Sequence, residues 1–255
     1  NDVEEVFTSS GTTQTTTSKH FVTDISYYKE SFTKGFETFY GDVTEYTILA
    51  LLPNYLERQG SSLVFMVDEL IRKSHHLESN FYLNNLDELA EQLRELDSAN
   101  KKVLLIGVSF ALLDLVEKHK FNLKNTIIME TGGMKGRRKE LIRKELHSIL
   151  QEGFGAHAIH SEYGMTELLS QAYSKGKGVF ETPPWMKILI RDTEDALTIL
   201  PKNKNGGINV IDLANYNSCS FIATQDLGKV HKNNIFEVIG RFDNSDIRGC
   251  NLMVL

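Results

Sequence analysis

Cysteine is scarce: Cys219 and Cys250 are the only two in 255 residues. That is too few for the disulfide framework of a small secreted domain, and it fits a reducing, cytoplasmic setting. An excess of basic residues is also missing. The formal net charge is −6, which argues against a general nucleic-acid binder and against a polybasic membrane surface. No apolar run approaches the roughly 20 residues of a membrane-spanning helix, and no signal peptide or lipidation motif is visible. Internal repeats and long linkers are absent as well. The first residue is Asn1 rather than Met. A candidate binding loop begins almost at once, so further residues are expected upstream of it.

What is present is ordinary in bulk and unusual in one place. Hydrophobic residues make 41% and charged residues 24% of the chain, enough for one large globular domain or two small ones. The unusual place is Phe7 to His20, which carries one glycine, nine hydroxyl side chains and Lys19. It has nothing to bury after Phe7. Backbone N–H groups in a glycine turn, flanked by hydroxyls, make a concave donor surface for phosphate oxygens. Read alone, such a run is more simply a disordered tail. Two details favour the binding loop: a short strand pattern at Val3–Phe7 precedes it, and Gly11 falls inside the hydroxyl cluster, where a tight turn needs it.

Downstream, Phe32, Phe36 and Phe39 recur at helical spacing within 26–40. A strand is expected at Tyr46–Leu52, a helix at Leu63–Lys73 opened by Ser61-Ser62, a pair that either caps it or lines a pocket, and an amphipathic helix at Leu83–Leu96. Then the pattern becomes regular: strand Lys102–Val108, helix Phe110–Lys118, strand Thr126–Glu130, helix Arg137–Gln151, strand Ala156–His160, helix Met165–Ala172. Such alternation predicts a parallel sheet flanked by helices. After Gly178 four strands follow, Trp185–Arg191, Gly207–Leu213, Ser220–Thr224 and Phe236–Arg241, which predict an antiparallel sheet or distorted barrel. The expected fold class is thus α/β, with residues 1–177 as the parallel part and 178–255 as the antiparallel part of one compact unit.

Ligands of parallel sheets bind at the carboxyl ends of the strands. The loops to inspect are therefore Gly107-Val108-Ser109, Thr131-Gly132-Gly133-Met134 and Ser161 to Glu167, the last two side by side. Tyr163 can cover a planar base, Gly132-Gly133 admits close backbone approach, and Glu167 can hold Mg²⁺ against phosphate. In the antiparallel part, Asp226 can accept from both ribose hydroxyls and Arg241 can donate beside it. Singly, Asp226 reads as a turn residue, Arg241 as an ion-pair partner and Tyr163 as a core aromatic. Their order along the chain carries more than any one of them.

Ser9-Ser10-Gly11-Thr12-Thr13, Tyr163-Gly164-Met165-Thr166-Glu167, Gln225-Asp226-Leu227-Gly228 and Gly240-Arg241-Phe242-Asp243, in that order, resemble the adenylate-forming superfamily of acyl-CoA synthetases and luciferases. Within it, Ser18-Lys19-His20-Phe21, Glu130 to Met134, His160 to Gly164 and the ending Arg248 to Leu252 resemble the bacterial acyl-protein synthetases (long-chain fatty acid–protein ligases). Phenylacetate-type CoA ligases share the Ser-Ser-Gly-Thr-Thr start. The resemblance implies the fold of the large domain of adenylate-forming enzymes, ATP and Mg²⁺ as cofactors, and activation of a fatty or other carboxylic acid to acyl-AMP with transfer to a thiol. It implies phosphate contacts from Ser9, Ser10, Gly11, Thr12, Thr13 and Lys19. Gly132, Gly133, Met134, Tyr163, Gly164, Thr166, Asp226 and Arg241 would bind the nucleoside, and Glu167 the metal. Cys250 matches the acyl-carrying cysteine, and the acyl group would pass on to a partner such as a reductase or carrier. Two departures stand out. Gln14 replaces a loop glycine, and the lid domain with its catalytic lysine is not in the sequence, so Lys19 or another basic residue substitutes for it, adenylation is slow, or the chain needs a partner.

Three other readings compete. Gly107-Val108-Ser109-Phe110-Ala111 sits where a hydrolase nucleophile elbow would, with Ser109 as nucleophile. His157, His160 and Glu162 offer a zinc set, although alternation along a strand disperses them. A non-catalytic relative that binds nucleotide or acyl groups is the third, and Lys135 to Lys139 could dock an acidic partner. Cys219, between Ser218 and Ser220 on an expected strand, reads as core.

Overall fold

A computed structural model describes residues 2–9, 17–53, 60–132, 138, 141–232 and 235–242. The chain opens with an antiparallel hairpin, β1 (Glu5–Thr8) and β2 (Lys19–Val22), in register from Glu5↔Val22 to Thr8↔Lys19. Phe7 anchors it, edge-on to Tyr28 and Phe65 with ring centroids 5.4 and 5.6 Å away. Helix α1 (Ile25–Tyr40) starts where the Asp24 side chain accepts from the Ser26 N–H. Its buried residues Tyr28, Phe32, Phe36 and Tyr40 repeat every four positions and so form one inward stripe.

The parallel part then unfolds as β3 (Thr47–Leu51), α2 (Ser62–Ser74), β4 (Asn80–Tyr82), α3 (Leu86–Ser98), β5 (Val103–Val108), α4 (Ser109–Lys118), β6 (Thr126–Thr131), α5 (Arg143–Phe154), β7 (His160–Tyr163) and β8 (Ala172–Ser174). These strands form one sheet in the order β4-β3-β5-β6-β7-β8, parallel except for the last pair. Every residue of β3 and β5 is buried. Because neighbouring side chains on a strand face opposite ways, both faces of the sheet are covered. Ser61 caps α2, its hydroxyl accepting from the Val64 N–H.

The antiparallel part adds β9 (Val179–Phe180), β10 (Met186–Arg191), β11 (Asn205–Asp212), β12 (Phe221–Val230) and β13 (Phe236–Arg241) in the order β10-β11-β12-β13-β9. A second apolar cluster, with Phe180, Ile188, Ile208, Val210 and Phe236, packs on one face. The α/β class and the C-terminal antiparallel sheet match the sequence expectation. No helix among the described residues is long and apolar enough to cross a membrane.

Several local expectations need correction. Residues 165–172 are not a helix: Thr166 and Glu167 lie in a turn and Ala172 begins β8. Met165, Leu168 and Ala172 pack into the second cluster while Leu169 packs into the first, so their spacing serves two cores rather than one helical face. β7 falls at 160–163 instead of 156–160, and α5 begins at Arg143, later than the expected Arg137. The short strands β4 and β9 were not foreseen, and β12 continues to Val230. Cys219 is exposed rather than core, in the turn before β12.

Candidate functional site

Chemistry-bearing side chains gather on the segment that leaves β7, and the two sheets supply their partners. β6 and β7 pair in parallel through Met129↔His160 and Glu130↔Ser161, which sets the carboxyl ends of the two strands side by side. Gly132 holds a left-handed φ of +66°, a conformation glycine adopts without strain. Gly164 is fixed by space: a Cβ there would lie 2.4 Å from Glu162 Oε1.

Tyr163 points to the antiparallel sheet. Its ring packs edge-on against Phe180 and Phe236 at centroid distances of 6.0 and 5.7 Å, and its hydroxyl donates to Asp226 Oδ2 at 2.8 Å. Burial, with the Asp226 charge beside it, pushes the phenol pKa well up. Asp226 and Arg241 are direct partners across β12 and β13, with Arg241 Nε 3.5 Å from Asp226 Oδ1. The register slips between Leu227 and Gly228, next to the carboxylate. Such bulges re-aim side chains and recur beside binding sites. Tyr163, Asp226 and Arg241 thus meet as a carboxylate flanked by a hydroxyl donor and an exposed guanidinium, a surface that can accept from a vicinal diol and neutralise an anion.

Four residues past Tyr163, Glu167 faces the base of the opening hairpin. Ser18 Oγ donates to Glu167 Oε1 at 2.5 Å. Ser18 is itself held by Ser9, through Ser9 N–H to Ser18 O at 3.0 Å and Ser18 N–H to Ser9 Oγ at 2.9 Å. The two ends of the hydroxyl run are therefore closed against each other next to a carboxylate. Ser10, Gly11, Thr12, Thr13, Gln14, Gly133, Met134, Asp243 and Cys250 lie outside the described residues. Lys19 is exposed. On β2 it faces opposite to the buried His20, and it is Ser18, just before the strand, that meets Glu167. Thr166 is half-buried in the same turn.

Glu167 fits a magnesium role by its chemistry. Mg²⁺ commonly takes one or two carboxylates and completes its shell with phosphate and water. Among the described residues no group of three His, Cys, Asp or Glu converges on a metal position. The zinc set does not assemble either: His160 Nδ1 meets Tyr40 Oη at 3.2 Å while Glu162 meets Thr131 Oγ1 at 2.5 Å.

Beneath these loops lie two buried carboxylates. Glu130 touches Ser109, Arg143 and His147 at 3.3, 3.5 and 3.4 Å. Burial acts to raise its pKa, but His147, Arg143 and Ser161 outweigh it and the net shift is downward. Glu162 has weaker support, and burial pushes its pKa up to about 7. Ser109 gives its hydroxyl to Glu130 and to the Gly132 carbonyl at 3.0 Å, and is fully buried. His147 sits on Glu130 and Ser161 instead of Ser109. With His147 turned to Glu130 and Ser161, and Ser109 only 1% exposed, the accessible serine–histidine pair of the hydrolase reading does not form.

Sequence reasoning missed the buried polar set that backs Glu167: His20, Ser170, Asp212 and Asn215. One signal was legible, the Asp212-x-x-Asn215 pair at a strand end, where Asp212 caps the short 3-10 turn Leu213–Asn215.

No family model and no curated protein matches the sequence. Solved structures do. ATP-bound MatB from Rhodopseudomonas palustris superposes with a TM-score of 0.69 at 17% identity, over 94% of this chain and 48% of its own. The McyG A-PCP structure complexed with phenylalanyl-adenylate gives 0.67 at 17%, over 94% and 47%. O-succinylbenzoate coenzyme A synthetase (MenE) from Bacillus subtilis, in complex with ATP and magnesium, gives 0.61 at 16%, over 92% and 49%. The likeness is one of fold: the chain has the architecture of the large domain of adenylate-forming enzymes and spans about half the length of the structures it matches.

Proposed function

We propose that this chain is the adenylating core of an acid–thiol ligase. It binds ATP with Mg²⁺, converts a carboxylic acid to acyl-AMP and passes the acyl group to a thiol. The observation that carries the reading is the placement of two contacts on one five-residue segment: Tyr163 on Asp226, beside Arg241, and Glu167 on Ser18 at the neck of the hydroxyl run. The spacing suits a nucleoside at one end and its phosphates at the other. Fold likeness to ATP-bound MatB and to MenE with ATP and magnesium supports the same assignment.

In the first step a carboxylate oxygen attacks the α-phosphorus and the bond to pyrophosphate breaks. The work is positioning and charge neutralisation. Asp226 accepts from the ribose hydroxyls, Arg241 donates beside it, and Tyr163 fixes the Asp226 carboxylate. Gly132, Gly133, Met134, Gly164 and Thr166 form the surround of the base. Ser9 to Thr13 would donate to the β- and γ-phosphates; Lys19, which faces away from Glu167, is given no contact there. Glu167 would hold Mg²⁺, which neutralises charge on the phosphate oxygens. In the second step a thiolate attacks the acyl carbon and AMP leaves. We assign the thiol to Cys250 on the resemblance to acyl-protein synthetases, with a fatty acid as substrate and a reductase or carrier as the final acceptor. A coenzyme A or carrier thiol is the second reading, favoured by the synthetase and A-PCP structures of like fold.

Pyrophosphate exchange with ATP tests the first step. Asp226→Ala and Glu167→Ala should each lose about 100-fold or more of the exchange rate, on the scale of removing a charged positioning group; unchanged exchange in both would sink the nucleotide assignment. Intact mass after incubation with ATP, Mg²⁺ and myristic acid tests the second. A hydroxylamine-labile adduct on the wild type but not on Cys250→Ser is expected, and pyrophosphate release without any adduct removes Cys250.

A further inference from the structure

Behind Glu167 lies a buried polar chain that the proposed reaction does not use. Asn215, Asp212 and Ser170 are fully buried and His20 nearly so. Asn215 Nδ2 donates to the Glu167 main-chain carbonyl at 2.9 Å and to Asp212 Oδ2 at 3.2 Å. Both of those atoms only accept, so the amide orientation is fixed and Oδ1 faces His20 Nε2 at 3.1 Å. That ring nitrogen must then carry a proton. Burial lowers the His20 pKa, which favours the neutral ring with the proton on Nε2.

Asp212 anchors the chain. Its carboxylate accepts from Leu169 N–H, Ser170 N–H, Ser170 Oγ, Ala214 N–H and Asn215 Nδ2. Ser170 Oγ in turn meets Ser31 Oγ and the indole N–H of Trp185, each at 3.0 Å. Trp185 is the single tryptophan of the sequence.

The chain reaches the start of β2 twice. His20 lies on β2, two residues beyond Ser18, which immediately precedes the strand. Ser18 holds the Glu167 carboxylate, while His20, through Asn215, holds the Glu167 backbone. A ligand carboxylate needs such outer support, since loss of the groups that orient it commonly costs 10–100-fold in metal affinity. We infer that Asn215 is a positioning residue for the metal–nucleotide complex: its amide clamps the Glu167 main chain to His20, so that Glu167 and the hairpin meet the phosphates as one unit. The inference rests on the adenylating reading above.

The test uses the full chain and two readouts other than turnover. Trp185 fluorescence is titrated with ATP over a series of Mg²⁺ concentrations, and thermal unfolding is measured without nucleotide. Asn215→Ala and His20→Ala should raise the Mg²⁺ needed for half-response roughly tenfold. His20→Gln, whose amide N–H replaces the Nε2 donor, should stay within about twofold of wild type by the same reasoning. A wild-type Mg²⁺ midpoint in Asn215→Ala, whatever its melting temperature, would show a purely structural role and overturn the inference. So would a His20→Gln as impaired as His20→Ala. Should Asn215→Ala fail to fold, the two His20 variants carry the test. A wild-type chain that shows neither a fluorescence response nor retention of labelled ATP in equilibrium dialysis fails earlier, at the nucleotide reading itself.

Discussion

The six-stranded and five-stranded sheets bury apolar residues in different patterns, and the difference separates what holds the chain together from what meets a ligand. β3 and β5 are buried from end to end, with Ile48, Leu49, Leu51, Leu104 and Leu105 facing both layers. β12 alternates: Thr224, Gly228 and Val230 are buried, while Phe221, Ala223 and Gln225 are exposed and Asp226 is half-buried. A strand covered on both faces has no room for a reactive carboxylate. A strand covered on one face leaves room near its irregular end: Asp226, on the side of buried Thr224 and just before the register slip, meets the exposed Arg241 on the neighbouring strand.

The largest effect expected from this contrast is in β5. Leu105 is fully buried between Leu49 of β3 and Ile128 of β6. Leu105→Ala removes its methyl groups and leaves a cavity, at a cost of about 2–5 kcal/mol. Urea unfolding should show the midpoint falling with little change in slope. A loss below about 1 kcal/mol would mean that the sheet collapses around the gap, and that its core is less close-packed than its burial implies.

The same contrast explains what the sequence made legible. β3, β5 and α1 stood out because each serves one core, through an apolar run or aromatics at helical spacing, although the buried stripe of α1 runs through Tyr28 and Tyr40 and leaves the expected Phe39 half-buried. Residues 165–172 misled because they pass between cores. β7 was misplaced because Ser161-Glu162-Tyr163 reads as a polar loop; pairing with β6 and β8 makes it a strand, and Thr131, Tyr40 and His147 satisfy its polar side chains. The Asp226–Arg241 pair was readable from motif order along the chain. The His20–Asn215 contact spans 195 residues, and neither side chain belongs to a local pattern that would announce the other.

A smaller effect is expected at β7, where the sheet turns from parallel to antiparallel pairing. His160 and Glu162 respond to burial in opposite senses. Burial lowers His160 from 6.5 to about 4, and raises Glu162 from 4.5 to about 7. Between about pH 4 and 6.5 the unfolded chain binds the proton at His160 and the folded chain does not, so this residue makes stability rise with pH. Between pH 4.5 and about 7 the folded chain keeps the proton on Glu162 and the unfolded chain has lost it, so this residue makes stability fall with pH. The windows overlap, and the wild type should show a shallow net slope across them. Glu162→Gln should expose the rise from His160, and His160→Gln the fall from Glu162, each by no more than about 3 kcal/mol over its window. Urea unfolding at a series of pH values checks this; parallel profiles for wild type and both variants would show that neither group titrates with folding.

The smallest effect is expected where the antiparallel sheet is bare. Phe221 opens β12 opposite Ile211 and is 72% exposed. Its ring is largely in water in the folded chain, so little transfer free energy is at stake. Phe221→Ser should change stability by less than about 0.5 kcal/mol, as substitutions away from packed features usually do. Measuring the unfolding midpoint at two protein concentrations tenfold apart makes the result informative either way. A loss above about 1 kcal/mol that grows with protein concentration would mean that a second copy covers this face in solution. The bare side of the antiparallel sheet would then be a contact surface, and the division between a sealed parallel sheet and an open antiparallel one would hold only for the isolated chain.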